Sequence, residues 1–474
     1  MTTWNAFQDS IFAFADKGEK HGKIVARAGT GKSTTILEAA SRLQGRGSIL
    51  LVAFANQNAK ELSEKIREAG IKGCEARTYH SLGNSALIAE NGFIPIDNSK
   101  MFKTVKDMSS RQRSQIFPFY GKLKKLISFA RNSLATDYDS LVALSEGHFL
   151  YYPKERGPAD MAGMASELLV LLDARSDTID FDEQIYVPAV NNMASRVYDF
   201  IFIDEAQDTN PCQIKLILNH TNENTRVFIV GDDRQAIYSW RGASQDAMDK
   251  IAQALGDVSS FSLPITYRCP KKVVALAQTI VPDYEANESN CEGTIEEKSL
   301  AEITFEIGSF VISRTNAGLM EVLPFVMKEG KPFKLLGKDI GANIADMMKK
   351  SKTETVSDFL SFLNFERTRW IEVLQDDDEE KLNKKLDELL LIENLFKILG
   401  FTGSLSSVEE KLAALFIDEP ETGRITLGTV HKMKGKESKT VYILKNTFRA
   451  DSEEEKNLFY VAITRTQERL VFLL

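Results

Sequence analysis

Cysteine is scarce in this sequence, and the few cysteines present are not arranged for a disulfide framework or a zinc site. Only four occur in 474 residues, and none forms a C-x-x-C pair. The five histidines are equally dispersed and form no H-E-x-x-H arrangement. These absences argue against a small secreted disulfide-rich protein and against a structural zinc site.

Long apolar runs are also missing. No stretch approaches the roughly 18 apolar residues that a membrane-spanning helix needs. The N-terminal segment MTTWNAFQDS lacks the basic start and apolar middle of a secretory signal. We therefore expect no membrane association and a cytoplasmic location, or a viral protein that acts in the cytoplasm of its host. We expect the isolated chain to be monomeric.

Positive charge is in deficit overall, with a net charge of −8, but basic residues concentrate in one segment. From Lys100 to Arg131 there are nine basic residues and one acid, Asp107. The nine are Lys100, Lys103, Lys106, Arg111, Arg113, Lys122, Lys124, Lys125 and Arg131. The run could be a solvated helical face or a surface that follows a phosphate backbone, and both interpretations stay open.

Short apolar runs that end abruptly in polar or glycine-rich residues recur along the chain. Four of them are KIVARAGTGKS, SILLVAFAN, YDFIFIDEAQD and RVFIVGDD. Continuous apolarity predicts strands buried on both faces, as in a parallel sheet covered by helices. Helices are predicted after the first two runs, at Ser33 to Leu43 and Asn58 to Ala69. The repeating β-α unit predicts an α/β class with doubly wound parallel sheets.

A second set of strands is predicted at FVISRTNA, KPFKLLG, RITLGTVHKMKG and TVYILKN. At 474 residues the chain is long enough for more than one domain. We predict two α/β cores, each interrupted by a mainly helical insertion. The first core comprises residues 1–85 and 176–265 with a basic insertion at 86–175, and the second comprises 266–345 and 417–474 with a short insertion at 346–416.

The segment ARAGTGKS lies between a predicted strand and a predicted helix, which is the context of a phosphate-binding loop. Gly29 and Gly31 allow backbone N–H groups to turn towards phosphate oxygens. Lys32 would reach the β- and γ-phosphates of ATP, and the Ser33 hydroxyl would ligate Mg²⁺. The residues expected to bind the nucleotide here are Ala28, Gly29, Thr30, Gly31, Lys32, Ser33 and Thr34.

The strand FIFI delivers the acids of DEAQD to its carboxyl end. Asp204 would hold Mg²⁺ through water, and Glu205 would polarise the water that attacks the γ-phosphate. Hydrolysis at a phosphate-binding loop is slow unless further positive charge reaches the γ-phosphate. Two arginines in the second half of the chain, Arg268 and Arg465, are candidates for that role. The sequence therefore predicts ATP hydrolysis.

The order of these motifs resembles that of one family, the superfamily-one DNA helicases of the UvrD/Rep/PcrA type. WNAFQ is similar to the Q motif of that family, and VAFANQNA and TYHSL are similar to the next two motifs. DFDEQ, DEAQD and GDDRQAIYSWRGA follow in the family's order. The motifs TYR, SRTNA, TVHKMKGKE and YVAITRTQERL complete the series. The resemblance covers nearly the whole chain and implies two RecA-like cores.

The resemblance implies further nucleotide contacts. Gln8 would read the adenine edge, Tyr267 would stack on the base, and Glu437 would contact the nucleotide from the second core. Gln235 would sense the γ-phosphate or the attacking water. The two candidate arginines would be arginine fingers. Together with Lys32 and Glu205, these polar groups would form the catalytic set.

The resemblance also implies a track for single-stranded DNA. Its contacts would be Phe54, Asn56, His80, Tyr238, Trp240, Arg241, Arg314, Asn316 and His431. Within GDDRQAIYSWRGA, Gln235 would face the phosphate while Tyr238 and Trp240 face the bases, and Arg241 would lie between them. This segment would then connect the nucleotide site to the DNA. The basic insertion at 86–175 would add a further DNA contact.

The implied activity is ATP- and Mg²⁺-dependent unwinding by 3′ to 5′ movement on single-stranded DNA, at junctions with duplex, in DNA repair or replication. An alternative is a single-strand translocase that displaces proteins with little unwinding, which the short second insertion favours. Another alternative is an ATP-gated DNA-binding subunit of a larger complex. The complete catalytic set argues against that last interpretation.

Overall fold

The computed structural model describes residues 4–18, 20–152, 155–237, 246–374, 379–449 and 451–474. The chain divides into two units, Met1–Pro264 and Ile265–Leu474. Each unit is built on its own parallel β-sheet with helices between the strands. The predicted α/β class with two parallel-sheet cores is confirmed. Among the described residues, no helix is long and apolar enough to cross a bilayer.

Six parallel strands form the sheet of the first unit. They are β1 (His21–Ala26), β2 (Ile49–Ala53), β3 (Cys74–Thr78), β4 (Phe200–Ile203), β5 (Arg226–Gly231) and β6 (Val258–Leu263). Their order across the sheet is β3-β2-β4-β5-β1-β6. Every residue of β2, β4 and β5 is buried. Burial on both faces explains why these three strands are nearly continuous apolar runs in the sequence.

Twelve helices belong to the described part of the first unit. They are α1 (Ala6–Lys17), α2 (Lys32–Arg42), α3 (Asn56–Glu68), α4 (Tyr79–Asn91), α5 (Lys100–Asp107), α6 (Ser110–Ile116), α7 (Tyr120–Ser133), α8 (Tyr138–Gly147), α9 (Pro158–Asp173), α10 (Glu183–Val190), α11 (Pro211–Asn219) and α12 (Ala247–Leu255). Leu51 packs into a core with residues of α1 to α3. Its neighbour Leu50 packs into a second core with residues of α4 and α10 to α12. Successive strand residues point to opposite faces, so helices cover both sides of the sheet.

Helices α5 to α9 form a helical insertion with a core of its own. Leu123 and Leu126 of α7 and Leu168 of α9 are fully buried in this core. The core is separate from the two cores on the faces of the sheet. The insertion is therefore packed internally as well as against the first unit.

Two cations of the basic run lie inside the protein. Lys100 Nζ is 2.7 Å from Glu183 Oε2, and Arg131 Nη2 is 2.8 Å from Glu183 Oε1. Arg131, which is 1% exposed, also pairs with Asp180 at 3.0 Å. The expectation that the whole run faces solvent or DNA is wrong for Lys100 and Arg131. Carboxylates distant in the sequence neutralise these two cations in the interior.

Replacing Arg131 with alanine is expected to lower the free energy of unfolding by about 3–5 kcal/mol, because it leaves buried carboxylate charge with less compensation. Urea denaturation followed by circular dichroism would measure the change. Arg111 of α6 is exposed, so Arg111→Ala is the matched control and should shift stability by less than about 0.5 kcal/mol. Equal effects of the two substitutions would contradict a stabilising role for the buried cluster.

Seven parallel strands form the main sheet of the second unit, and two shorter strands pair beside its start. The short pair is β7 (Ile265–Thr266) and β8 (Glu285–Ala286). The main strands are β9 (Thr294–Lys298), β10 (Phe310–Ser313), β11 (Phe333–Leu336), β12 (Phe416–Ile417), β13 (Ile425–Thr429), β14 (Ser438–Leu444) and β15 (Thr466–Leu473). Their order is β12-β11-β13-β10-β14-β15-β9. The central strands β10, β13 and β14 are almost entirely buried.

Eight helices accompany the described strands of the second unit. They are α13 (Lys271–Ala277), α14 (Asn316–Lys328), α15 (Lys338–Ser351), α16 (Val356–Leu374), α17 (Glu379–Ile398), α18 (Leu405–Leu415), α19 (Val430–Met433) and α20 (Glu453–Ile463). Phe359 of α16 and Phe396 of α17 share one buried core with Val311 of β10 and Leu323 of α14. Helices α15 to α18 thus extend the core of the sheet, unlike the separately packed insertion of the first unit.

Candidate active site

The loop between β1 and α2 carries the predicted phosphate-binding residues. Gly29 and Gly31 have left-handed backbones, with φ of 71° and 78°, a conformation that strains residues with a Cβ. Gly31 begins α2 without a side-chain hydrogen bond to the first turn. The N–H groups of that turn are therefore available to a phosphate. Ala28 and Thr30 are buried, and the Thr30 hydroxyl donates to the Arg27 carbonyl at 2.9 Å.

Lys32, the first residue of α2, faces the two acids that follow β4. Its Nζ lies 3.2 Å from Asp204 Oδ1 and forms an ion pair with Glu205. Burial alone would lower the pKa of Lys32, but the Asp204 and Glu205 carboxylates outweigh burial and raise it. The amine is therefore held in its charged form. The structure brings together the cation and both acids that the sequence singled out.

Ser33 and Asp204 are the predicted ligands of Mg²⁺. Ser33 follows Lys32 on the first turn of α2 and is half-buried, and Thr34 is exposed on the same turn. Burial raises the pKa of Asp204, while the Lys32 amine opposes that shift. A hydroxyl and a carboxylate suit Mg²⁺, which takes few protein ligands beside waters and phosphate oxygens. Among the described residues no cluster of three acidic, histidine or cysteine side chains could hold a metal alone, so the phosphates would have to complete the site.

Glu205 has a strained backbone, and a buried amide contacts its carboxylate. Its φ is 52°, in the left-handed region that non-glycine residues rarely adopt. Gln207 Nε2 donates to Glu205 Oε2 at 2.5 Å, and Gln207 Oε1 accepts from the Asp232 N–H at 3.1 Å. A Cβ on Gly231 would lie only 2.3 Å from Gln207 Oε1. Gly231 therefore leaves the space that Gln207 needs to orient Glu205.

The same hydrogen-bond network reaches Gln235. Asp232 follows β5, is buried, and accepts from Gln235 Nε2 at 2.8 Å. We call the four residues Glu205, Gln207, Asp232 and Gln235 the acid–amide chain. It links the acid after β4 to the predicted γ-phosphate sensor after β5. A change in the position of one member would be transmitted through short hydrogen bonds to the others.

Arg27 ties the phosphate-binding loop to the loop after β5. Its Nη1 lies 2.9 Å from Asp232 Oδ1 and 2.5 Å from Asp233 Oδ1. Burial raises the pKa of Asp232, and the Arg27 guanidinium and the Gln235 amide oppose that shift. The arginine therefore compensates a buried carboxylate at the point where the two loops meet.

Gln8 lies close to the phosphate-binding loop, within the capping box of α1. Its Oε1 accepts from the Asn5 N–H at 3.1 Å, and its Nε2 donates to Thr35 Oγ1 at 3.0 Å. The Thr35 hydroxyl in turn donates to the Gly31 carbonyl at 3.0 Å. Gln8 thus braces α1 against α2. Its contact with an adenine edge stays a prediction.

In the second unit, the two predicted arginine fingers are neighbours. Arg268 follows β7 and pairs with Glu437, which also accepts from Gln467 Nε2 at 2.9 Å. Arg465 is fully buried, and its Nε donates to the Val461 carbonyl at 2.8 Å. Burial and the nearby Arg268 guanidinium lower the pKa of Arg465 to about 10, so Arg465 stays charged at neutral pH.

Tyr267, next to Arg268, presents an exposed side chain. Exposed tyrosines are suited to stacking because the ring offers a large apolar face. This position is compatible with the predicted contact to the base of a nucleotide, which stays a prediction.

Three predicted DNA contacts of the first unit lie at the carboxyl ends of β2 and β3. Phe54 follows β2, and Asn56 is exposed at the start of α3. His80 stacks on Phe181 with ring centroids 3.9 Å apart. Burial lowers the pKa of His80 to about 4, so it is neutral at pH 7. The outer ring of this stack belongs to Phe181, which is 53% exposed.

Predicted DNA contacts of the second unit follow β10 and β13. Arg314 Nε pairs with Glu455 Oε1 at 2.8 Å, and Asn316 is the first residue of α14. His431 lies on the short helix α19 and is half-buried. The predicted contacts Tyr238, Trp240 and Arg241 lie outside the described residues. Both sheets therefore place candidate residues at the carboxyl ends of strands, where ligands bind in open α/β sheets.

Comparison with known proteins agrees with this arrangement. Residues 4–255 match the model of the UvrD/REP helicase N-terminal domain, and residues 190–474 match that of the UvrD-like helicase C-terminal domain. The chain belongs to the UvrD-like helicase family. The predicted resemblance is confirmed, and so is the predicted enzyme class, an ATP-dependent helicase, at the level of the family.

Individual relatives of this UvrD-like chain are distant. It is 22% identical over 600 residues to a probable DNA helicase II homolog of Mycoplasma capricolum, covering 95% of this chain and 82% of that protein. The match to the ATP-dependent DNA helicase Rep of Buchnera aphidicola is 27% identical and covers 54% of this chain and 41% of the relative. The match to the ATP-dependent DNA helicase Rep of Escherichia coli is 24% identical and covers 62% of this chain and 45% of the relative. The chain thus spans less than half the length of these two Rep proteins.

Sequence reasoning missed three residues of the UvrD-like chain that the structure places at these sites. They are Arg27, Gln207 and Phe181. Each lies inside a motif that was recognised: Arg27 in ARAGTGKS, Gln207 in DEAQD and Phe181 in DFDEQ. The signal was a charged, amide or aromatic side chain within a recognised motif, but each residue contacts at least one partner that is distant in sequence. Only the fold brings the partners together.

Proposed function

We propose that this chain is a DNA-stimulated ATPase that moves 3′ to 5′ along single-stranded DNA and separates the duplex ahead of it. The observation that carries the proposal is the grouping of Lys32, Asp204 and Glu205 beside the glycine-rich loop. A half-buried lysine that is paired with two acids could exchange these carboxylates for phosphate oxygens. Family membership makes DNA the substrate to test first.

In the proposed reaction, ATP phosphates lie against the backbone N–H groups of the loop and against Lys32. Bound Mg²⁺ would neutralise charge on the β- and γ-phosphates, with Ser33 and Asp204 as its protein contacts. Glu205 accepts a proton from the attacking water. Gln207 keeps the Glu205 carboxylate oriented through its hydrogen bond, and Gln235 would contact the γ-phosphate or the attacking water, as the resemblance implies. Arg268 and Arg465 would supply the charge that hydrolysis needs, as the resemblance implies.

The proposed track holds DNA through exposed rings and polar groups. Base stacking on aromatic side chains is worth about 1–3 kcal/mol per base and tolerates any sequence. Neutral His80 would contribute its ring rather than a charge, and Phe181 extends that ring surface. We therefore add Phe181 to the predicted contacts. Junctions of single-stranded and duplex DNA would be the natural substrate of a motor of this kind.

Strand displacement from duplexes with a 3′ or a 5′ single-stranded tail tests this function. Unwinding from the 3′ tail alone, together with ATP hydrolysis that rises when single-stranded DNA is added, is expected. Lys32→Ala should abolish both activities. Unwinding from the 5′ tail alone would refute the polarity. A rate of ATP hydrolysis that does not change when single-stranded DNA is added would refute the proposed DNA-stimulated movement.

A second candidate is a translocase that displaces bound proteins and unwinds little. It is favoured by helices α15 to α18, because their described residues pack into the core of their sheet. Release of streptavidin from biotinylated single-stranded DNA would measure translocation independently of unwinding. Streptavidin release with no strand displacement would favour this candidate over the helicase.

Gln207→Leu is expected to lower DNA-stimulated ATP hydrolysis by about 10- to 100-fold, the usual cost of losing an orienting partner. The substitution removes both hydrogen bonds of the buried amide at similar volume. Gln213→Leu is the matched control, because Gln213 is also buried but caps α11. Its hydrolysis rate should match that of the unsubstituted protein. An unchanged rate in Gln207→Leu would show that Glu205 needs no such support.

A further inference from the structure

Three aromatic rings cluster on the surface of the helical insertion. Phe102 of α5 lies 6.0 Å from Phe117 and 6.3 Å from Tyr120, measured between ring centroids. Phe117 and Tyr120 are themselves 6.3 Å apart. Phe102 is 46% exposed and Phe117 is 39% exposed. Rings this exposed lie outside the buried core of the insertion, and an exposed aromatic group of this kind marks a binding surface.

A basic residue lies four positions from each of these rings. Lys106 follows Phe102 on α5, Lys124 follows Tyr120 on α7, and Arg113 precedes Phe117. Residues four apart on a helix share one face, so Lys106 and Lys124 lie one turn from their rings. We call these three rings and three cations the aromatic–basic cluster.

A hydrogen bond joins two elements of the cluster, and the acids closest to the cluster in sequence pair with other cations. Arg113 Nη1 donates to the Lys106 carbonyl at 2.9 Å, which joins α6 to the end of α5. Asp107 pairs with Arg175 at 2.9 Å, and Asp97 pairs with Lys103 at 2.8 Å. The acids closest in sequence are therefore matched by cations outside the cluster. The cluster combines apolar rings with positive charge.

We propose that the aromatic–basic cluster is a second binding site for single-stranded DNA, separate from the track at the carboxyl ends of the strands. Bases stack on Phe102 and Phe117 while Lys106, Arg113 and Lys124 contact phosphates. Rings interleaved with cations at one spacing match the alternation of base and phosphate along a strand. The proposal rests on the proposed function, since it assumes that the chain binds DNA. The second site would bind single-stranded DNA at a position outside the track.

Two fluorescein-labelled oligo(dT) probes test this site on the full chain. The shorter, of about 8 nucleotides, fills a single strand-binding site, and the longer is several times that length. The double variant Phe102→Ala/Phe117→Ala is expected to bind the longer probe about 10- to 100-fold more weakly. Its affinity for the shorter probe, and the ATP hydrolysis that this probe stimulates, should stay unchanged.

Two further variants separate charge from stacking. Lys106→Ala/Lys124→Ala should reduce the slope of log affinity against log salt for the longer probe by about 1.4, or about 0.7 per lost phosphate contact. Phe93→Ala is the matched control, because Phe93 is 82% exposed but has Glu90 and Asp97 nearby in sequence. It should bind both probes normally.

Photocrosslinking of the longer probe, substituted with 5-iodouracil, locates the contact directly. Crosslinked peptides that contain Phe102 or Phe117 are expected. Crosslinks confined to motifs of the two sheets, or unchanged affinity of the double variant for the longer probe, would overturn the second site and leave the proposed function intact. The cluster would then be a protein-docking surface. Failure of the unsubstituted chain to bind either probe would overturn the proposed function as well.

Discussion

Arg268→Ala is expected to lower the DNA-stimulated rate of ATP hydrolysis by about 10³- to 10⁵-fold, the range associated with an arginine finger. In the predicted finger role, the guanidinium would stabilise charge that develops on the γ-phosphate, and a water molecule could not replace it. Arg268 is paired with Glu437, so it would leave that carboxylate to reach a nucleotide. Steady-state hydrolysis at saturating ATP and single-stranded DNA would measure the effect.

Two comparisons sharpen the Arg268 experiment. Arg268→Lys keeps the charge but loses the planar fork of donors, so it should recover only part of the rate. Arg469→Ala is the matched control, since Arg469 forms its ion pairs with Glu296 and Glu306 on the same unit. It should hydrolyse ATP normally. A rate for Arg268→Ala within tenfold of the unsubstituted protein would exclude the finger role.

Arg465 is a less decisive target, although it is the other predicted finger. Its side chain is fully buried and donates to backbone carbonyls, among them those of Val461 at 2.8 Å and Lys436 at 3.3 Å. Truncation would remove a donor from each of those carbonyls, and a buried acceptor that loses its partner costs about 1–3 kcal/mol. A loss of hydrolysis in Arg465→Ala would therefore mix lost catalysis with lost packing. Arg268→Ala avoids this problem, because Arg268 pairs with the half-exposed side chain of Glu437.

The strands that sequence reasoning found are all interior strands of the two sheets, although the interior strand β15 was missed. β2, β4, β5 and β10 are buried on both faces and read as apolar runs. All four edge strands were missed: β3 and β6 in the first sheet, β12 and β9 in the second. β3, β6 and β9 are mostly half-exposed, so their sequences mix polar and apolar residues. An edge strand that is only partly buried does not need a continuous run of apolar residues, so its sequence does not identify it as a strand.

Charge in the basic run was misread for a different reason. Lys100 and Arg131 looked like the rest of a cationic surface because their partner, Glu183, is far along the chain. The fold turns two of the cations inward onto one buried carboxylate, whereas Lys106 and Lys124 stay exposed. Sequence distance hides ion pairs of this kind. Two of the exposed cations of the run, Lys106 and Lys124, belong to the aromatic–basic cluster.

The same distinction applies to the candidate active site. Lys32, Asp204 and Glu205 were predicted because each belongs to a motif whose chemistry is legible from the residues alone. Gln207 was not, since an amide acquires its role only from the groups that it contacts. Arg27 is similar, because it acts through an acid that follows another strand. Residues that touch the substrate are therefore easier to predict than residues that position them.

Glu205→Gln is expected to lower ATP hydrolysis by about 10²- to 10⁴-fold while leaving ATP binding intact. The amide keeps the shape of the carboxylate but cannot accept the proton of the attacking water. Phosphate binding by Lys32 and the loop does not depend on that proton transfer. Hydrolysis under saturating ATP would measure the loss, and the fluorescence of a bound nucleotide analogue would measure affinity.

The ion pair of Glu205 offers an alternative to its role as a base. Glu205 is an ion-pair partner of Lys32. If Glu205 had only a structural role, its substitution would lower the stability of the protein and change its nucleotide affinity. Glu38→Gln is the matched control, because Glu38 pairs with Arg42 on an exposed face of α2. Unchanged hydrolysis in Glu205→Gln would assign the proton transfer elsewhere. Slow hydrolysis with normal nucleotide affinity would instead show that the strained backbone and the Gln207 amide serve to aim a base, which links the acid–amide chain to the chemical step.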